Sequence, residues 1–292
     1  MSLLSFDIGG SSVKYAVIDD SGQILYKSKA ATPATREEFI NLLVKVTAEQ
    51  RQKYELKGAG FSFPGAVDDT AGVIGGSSAV PYIHDFPIKQ AIADALEMPV
   101  AMENDANCAA LGECWCGAGQ GYHDVVLFVI GSGVGGAIVH DGQIRYGCHL
   151  HGGEFGYMLA RGHRILSDVG STRAMAEAVA DAKGKPHEEM DGLQAFALAD
   201  DGDPDAVKAA EDMYEALAAA IYDIQYSVDP DIFLLGGAIS ERPGFTASIE
   251  RHIDKILQDV EVGRIRPQLA AAQYGNDANL LGAVRHLLDR TK

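Results

Sequence analysis

The chain has 292 residues, enough for about two domains of ordinary size. Its 24 Lys and Arg against 41 Asp and Glu leave a net charge of −17, which argues against nucleic acid or an anionic membrane as partner, since both bind through clustered cations. The 33 glycines are an excess over the roughly 7% of average proteins, and phosphate handled by so acidic a chain must be met by backbone N–H groups and a metal.

The first residues, Met1-Ser2-Leu3-Leu4-Ser5-Phe6-Asp7, lack a basic n-region and are interrupted by Asp7, so no signal peptide is expected there. Residues 3–8 form a short apolar strand that runs into the turn Gly9-Gly10-Ser11-Ser12. Strands follow at 13–19 and 23–28, joined by Asp19-Asp20-Ser21-Gly22. Helical spacing of Phe39, Leu42, Leu43 and Val46 predicts a helix over 36–52. A strand at 58–63, a helix opening at Pro87 and running to 96, a strand at 99–102 and a helix at 106–116 complete the first half.

The pattern then restarts. Residues 125–130 form a buried strand, too short to cross a bilayer, followed by a glycine loop over 131–136 and a strand at 137–140. The run Ala16-Val17-Ile18-Asp19-Asp20-Ser21-Gly22-Gln23-Ile24 resembles Ala137-Ile138-Val139-His140-Asp141-Gly142-Gln143-Ile144, a weak internal repeat that suggests two related α/β halves. Further on come a helix opening at Ser171-Thr172, a long helix over 204–227 with Asp203 as N-cap and Pro204 at its first position, a strand at 232–235 ending in Gly236-Gly237, and a last helix over 279–288. The boundary between halves is expected near Gly117-Ala118-Gly119.

Gly131-Ser132-Gly133-Val134-Gly135-Gly136 matches the dinucleotide fingerprint in letters only. That fold needs a helix opening at the last glycine, and a β-hairpin pattern follows here instead. The chain contains neither the P-loop pattern nor the nucleophile-elbow pattern of hydrolases. Two strand–turn–strand units rich in glycine suit another task. Without Cβ atoms, such turns can come close to phosphate oxygens and offer successive N–H donors. The plainer reading is that these glycines only make tight turns; their recurrence in matching places favours phosphate.

Asp7-Ile8-Gly9-Gly10-Ser11-Ser12-Val13-Lys14 resembles the first phosphate motif of the sugar-kinase/actin/Hsp70 superfamily. Over nearly its full length the chain resembles the ROK family (repressors, open reading frames and kinases). Glu103-Asn104-Asp105-Ala106-Asn107 is similar to the catalytic segment of that family, 130–137 to its second phosphate loop, and Leu235-Gly236-Gly237-Ala238-Ile239 to its adenosine loop. The resemblance implies an α/β protein of two ribonuclease-H-like, actin-like lobes with ATP and sugar in an interlobe cleft. The first lobe would hold residues 1–116 with the closing helix 278–292, and the second 117–277. A homodimer is also implied; a cytoplasmic location with reduced thiols is expected from the N-terminal residues and from only four cysteines.

Phosphoryl transfer to a sugar hydroxyl needs a carboxylate to orient it and accept its proton. Asp105 is the candidate, at a strand–helix junction; taken locally it reads first as a helix N-cap, a place that Asn104 or Asn107 could also fill. With the resemblance, Asp105 becomes the base and Asn104 holds sugar hydroxyls, with Gly65 beside them. Gly9, Gly10, Ser11, Ser12, Lys14, Gly131, Ser132, Gly133 and Gly135 would cradle phosphates. Gly236 and Gly237 would approach adenosine, and Asp7 would hold magnesium directly or through water.

Gly153-Glu154-Phe155-Gly156-Tyr157 is similar to the family's sugar segment, which makes Glu154 a sugar ligand. Tyr157 departs from the histidine usual there, and no cysteine follows Cys148, so the structural zinc site common in the family lacks its ligands. Cys108, Cys114, Cys116 and Cys148 are read as buried, inert thiols. His151 is a candidate sugar contact, His149 either lines the cleft or lies on the surface, and Thr172 either reaches sugar or caps a helix. The implied activity is ATP- and Mg²⁺-dependent phosphorylation of a hexose or hexoside, the 6-hydroxyl of glucose or a β-glucoside first. An N-acetylmannosamine kinase, a fructokinase or a silent sugar-binding protein are the alternatives.

Overall fold

The computed structural model describes residues 1–160 and 162–291. The chain forms two compact units, one of Met1–Gly121, Gly142–Gly152 and Asn276–Lys292, the other of Tyr122–Asp141 and Gly153–Gly275. Residues 142–152, placed by sequence with the second half, cluster with the first unit. Among the described residues no helix is long and apolar enough to cross a membrane.

The first unit contains β1 (Ser2–Ile8), β2 (Ser12–Asp19), β3 (Ile24–Ala31), α1 (Arg36–Arg51), β4 (Leu56–Phe63), the small hairpin β5 (Ala66–Asp68) and β6 (Val73–Gly75), α2 (Ile88–Leu96), β7 (Val100–Asn104) and α3 (Asp105–Cys116). Its main sheet has the order β3-β2-β1-β4-β7, with β1, β4 and β7 parallel. Side chains alternate across a strand, and β1 shows what that does. Leu4, Phe6 and Ile8 join a core with Phe39 and Leu43 of α1 and Ile88 and Ile92 of α2. Phe6 stacks on Phe61 of β4, ring centroids 4.9 Å apart. Ser5 and Asp7 fall on the opposite side, where Ser5 donates to the Leu280 carbonyl at 2.7 Å.

Leu280 belongs to the last helix, α8 (Ala278–Arg290), which packs on α3, β4 and β1. Glycine makes that packing possible. A Cβ at Gly60 or Gly112 would lie 2.2 Å from a carbonyl oxygen of α8, and one at Gly282 would lie 1.7 Å from the Cys108 oxygen of α3. Helix and sheet therefore meet backbone to backbone, closer than any larger residue allows.

The second unit contains β8 (Asp124–Ile130) and β9 (Val134–His140), paired antiparallel. The two-residue β10 (Gln143–Ile144) follows in the chain, within the 142–152 segment of the first unit. Then come α4 (Thr172–Ala182), α5 (Gly192–Asp200), α6 (Pro204–Val228), β11 (Ile232–Gly236), α7 (Phe245–Asp259) and β12 (Leu269–Ala271). Within the unit the strands run β9-β8-β11-β12, with β8, β11 and β12 parallel. Asp203 caps α6 by accepting from the Ala206 N–H, with Pro204 first in the helix, as the sequence signals. Val126, Phe128 and Ile130 of β8 pack with Phe233 and Leu235 of β11 and with Met175, Val179, Met213, Leu217 and Ile221 of α4 and α6.

One sequence expectation needs correction. The glycine loop over 131–136 is half strand: β9 already begins at Val134, and Gly135 pairs with Val129. The turn is only 131–133, so Gly135 is a ladder residue and not part of a free loop. The elements α5, α7, β5, β6 and β12 went unassigned from sequence, although Asp191 and Gln194 spell a capping box for α5 and Phe245, Ile249 and Ile253 keep helical spacing in α7.

Candidate functional site

The parallel strands of the first unit set the register of the site. Asp7 of β1 lies opposite Ser62 of β4, and Ser62 lies opposite Glu103 of β7. Three polar residues thus stand in a row near the carboxyl ends of parallel strands, the edge where open α/β sheets bind ligands. Asp7 is 7% exposed. Its Oδ1 accepts from Ser62 Oγ at 2.8 Å and from Asn279 Nδ2 at 3.3 Å, while its Oδ2 pairs with Lys14 Nζ at 3.1 Å. Asn279 Nδ2 is also 3.3 Å from the Asp105 carbonyl, so the first turn of α8 joins Asp7 to the start of α3.

At that start the sequence alternatives separate. Asn104, not Asp105, is the N-cap: its Oδ1 accepts from the Asn107 N–H at 3.1 Å. Its Nδ2 donates to the Gly65 carbonyl at 3.1 Å and to Asp105 Oδ1 at 2.9 Å. Asp105 is the first helical residue, and Oδ1 also accepts from the Ala106 N–H at 2.9 Å. Asn104 therefore orients the carboxylate, and Gly65, at φ +101°, orients Asn104. A carboxylate whose one oxygen is pinned by two donors is fixed in direction before any substrate arrives.

Glu103 lies beneath this pair, 1% exposed. Its Oε1 accepts from the Asn104 N–H at 2.7 Å and from Asn107 Nδ2 at 3.0 Å, and its Oε2 accepts from the Tyr146 hydroxyl. His286 of α8 stands between two carboxylates, 3.6 Å from Glu103 and 3.7 Å from Asp69, at ion-pair rather than hydrogen-bond distance. Asp69 also pairs with Lys89 at 2.7 Å and accepts from the Met102 N–H at 2.9 Å. Burial opposes its ionisation, but His286, Lys89 and that N–H outweigh burial and hold the carboxyl well below the usual range. Burial and the Glu103 charge together push the Tyr146 hydroxyl well above a normal tyrosine, so it stays a donor.

The first glycine turn closes on a bond from the Gly9 N–H to the Ser12 carbonyl at 3.0 Å, and Thr32 Oγ1 donates to the Gly9 carbonyl. A Cβ at Gly10 would come within 2.7 Å of Ala79. Ser11 is exposed in the turn, while Ser12 and Lys14 already belong to β2.

In the second unit the 131–133 turn is braced by the N-terminus of α4. The Gly131 carbonyl accepts from the Thr172 N–H at 3.0 Å and from Thr172 Oγ1 at 2.8 Å, and the Ser132 carbonyl accepts from Arg173 Nε at 2.9 Å. Thr172 is not the cap of α4; Ser171 is. Beside this turn, Gly236 ends β11 opposite Val129, and Gly237 at φ +88° would place a Cβ 2.1 Å from the Ile130 carbonyl. The two glycine turns of this unit are therefore neighbours at the carboxyl ends of adjacent parallel strands.

The sugar segment is more open. Glu154 precedes a short 3-10 turn, Phe155–Tyr157, and Tyr157 is 69% exposed. His149 and His151 are exposed, with the His151 ring 2.6 Å from the His149 carbonyl. The reading of four buried thiols holds in part. Cys108 is buried, Cys114 and Cys116 are partly so, but Cys148 is exposed. Burial pushes Cys108 well up and Cys114 up to about 12, which keeps both protonated and unreactive. Among the described residues no three His, Cys, Asp or Glu are grouped to hold a metal ion.

Sequence reasoning named Asp7, Asn104 and Asp105 but missed Ser62, Asn279, Tyr146, His286, Asp69 and Arg173. Only Ser62 had a local signal, a polar residue alternating with Phe61 and Phe63 in a buried strand. Of the others, Asn279 and His286 come from α8, Asp69 from the turn between β5 and β6, Tyr146 from the loop after β10 and Arg173 from α4, and no local pattern marks their roles.

Two α/β units with glycine turns after their first strands, and a pinned aspartate where β7 meets α3, define a protein of the actin-like sugar-kinase fold. The chain belongs to the ROK family, whose sequence pattern matches residues 3–290. It is 31% identical over 296 residues to a β-glucoside kinase of Listeria monocytogenes, covering 99% of this chain and 98% of that one. A ROK family protein from Streptococcus pneumoniae TIGR4, solved in complex with sucrose, is 34% identical with a TM-score of 0.91, covering 100% and 99%. A ROK glucokinase from Streptomyces griseus, solved with glucose and AMPPNP, is 27% identical with a TM-score of 0.80, covering 100% of each chain.

Proposed function

We propose that this protein is an ATP-dependent sugar kinase that phosphorylates a hexose or hexoside, with the 6-hydroxyl of glucose or of a β-glucoside as acceptor. The observation that carries this reading is the geometry of Asp105. Its Oδ1 is held by Asn104 and by the Ala106 N–H, which aims the carboxylate as a base for a sugar hydroxyl. Likeness to a β-glucoside kinase over 99% of the chain supports the acceptor class, and Glu154, Asn104, Gly65, His151 and Tyr157 are the proposed sugar contacts.

Each unit contributes a turn suited to phosphate oxygens: Gly9, Gly10 and Ser11 in the first, Gly131, Ser132 and Gly133 in the second. Gly236 and Gly237 would meet adenosine. Magnesium bound with ATP supplies charge neutralisation at the phosphates. Asp7 fits that ion through water better than directly, because Ser62 and Asn279 occupy one carboxylate oxygen and Lys14 the other.

The test is ADP formation with Mg·ATP and a panel of glucose, cellobiose, N-acetylmannosamine and fructose. The expected result is sugar-dependent ADP with glucose or cellobiose, reduced about 10²–10⁴-fold in kcat by Asp105→Asn. No sugar-dependent ADP from any acceptor would defeat the function. A wild-type rate in the variant would defeat the role of Asp105.

A further inference from the structure

Glu103 and Tyr146 form a connection that the reading above leaves unused. Residues 146–152 make a loop closed at its base, where the Gly152 N–H donates to the Tyr146 carbonyl at 2.8 Å. Only glycine fits at 152, since a Cβ there would lie 2.0 Å from the Arg145 oxygen. This loop carries His149 and His151 and leads directly into Gly153-Glu154. Its base is tied inward at Tyr146, whose hydroxyl donates to Glu103 Oε2.

The other oxygen of the same carboxylate accepts from the Asn104 N–H and from Asn107 Nδ2. One buried carboxylate thus holds both the loop and the first turn of α3. Losing either bond changes what Asn104 is built upon, and Asn104 in turn fixes Asp105. A purely structural carboxylate of this burial needs partners, but it does not need one partner on the loop and two on the turn that presents the base.

We propose that Glu103 and Tyr146 are positioning residues for sugar phosphorylation, coupling the 146–152 loop to the orientation of Asn104 and Asp105. The inference rests on the kinase reading given above. Because both residues act on the sugar side, their loss should raise the sugar KM and lower kcat while leaving the ATP KM in place.

Steady-state kinetics on Tyr146→Phe, Glu103→Gln, Glu103→Ala and the pair Glu103→Ala with Tyr146→Phe test it. Tyr146→Phe removes one hydroxyl, and a lost hydrogen bond to a charged group corresponds to about a tenfold fall in kcat/KM for sugar. The ATP KM should stay within about twofold. The side-chain amide introduced by Glu103→Gln can still accept from Asn104 and Asn107, so this variant should recover much of what Glu103→Ala loses. Tyr146→Phe added to Glu103→Ala should cost no more than about twofold beyond Glu103→Ala alone, because both remove the same connection.

A wild-type protein with no sugar-dependent ADP formation defeats the kinase reading and this inference together. An active wild type with Tyr146→Phe unchanged in kcat and sugar KM defeats the inference alone. So does a variant in which sugar and ATP KM rise together with a lowered melting temperature, the mark of general destabilisation. If Glu103→Ala does not fold, Tyr146→Phe decides the matter.

Discussion

In the first unit the side of the sheet turned to α8 carries Ser5, Asp7, Ser62 and Glu103, and α8 brings Asn279 and His286 to them. In the second, β8 and β11 meet α4, α6 and α7 through apolar side chains, mostly alanine, leucine, isoleucine, methionine and phenylalanine. Each unit nonetheless orders its strands alike, a hairpin strand, the first strand, then parallel neighbours. Every buried carboxylate among the described residues, Asp7, Asp69, Glu103 and Glu113, lies in the first unit. The contrast shows that a shared strand plan does not distribute chemistry. Charge is buried where a helix can supply hydrogen-bond partners, and it is left out where helices only pack.

The largest effect expected from breaking this contrast is at Gly282. An alanine there puts a Cβ 1.7 Å from the Cys108 oxygen, so α8 must move off α3 and carry Asn279 and His286 with it. Gly282→Ala should cost about 3 kcal/mol or more, read by denaturant unfolding, and should reduce activity as well. Unchanged stability would show that α8 is not held by close backbone approach.

Asp69→Asn comes next, and its sign follows from linkage. The folded-state pKa of Asp69 lies below the ordinary aspartate value of 3.8, so its contribution is present in full above that value and is lost as pH falls below it. The variant should therefore melt lower than the wild type at neutral pH, with the gap closing as the pH is taken below 3.8. A gap constant across the acid range would exclude a charge-dependent role.

The smallest effect is expected in the second unit. Thr172→Val removes one bond to the Gly131 carbonyl but leaves the backbone bond of the same residue. The loss of about 0.5–1.5 kcal/mol should appear as a severalfold rise in ATP KM with the sugar KM unchanged. An altered sugar KM instead would place the 131–133 turn on the wrong substrate.

Much of this arrangement was legible in the sequence for physical reasons. The short apolar run of residues 3–8 marks a strand, Asp203-Pro204 marks the start of α6, and the run from Glu103 to Asn107 marks the strand–helix junction of the site. The glycine loop was misjudged because Gly135 and Gly136 break a β pattern in sequence while still pairing in the ladder. The roles of Asn104 and Asp105 could not be separated locally, since either residue type caps a helix; the capping bond decides it. Tyr146, Asp69 and His286 are far apart in sequence and meet only through the fold, so no spacing rule could have joined them.

The order in which the segments are made has its own consequence. The first unit begins at Met1 but includes α8 (Ala278–Arg290), whereas the last segment of the second unit ends at Gly275. During synthesis, the second unit has all its residues while β1, β4 and α3 still lack the helix that pairs with them. Asp7 and Ser62 therefore wait, without Asn279, through the making of everything between. Asp7, which carries part of the proposed chemistry, gains this partner only after the second unit's residues have been made.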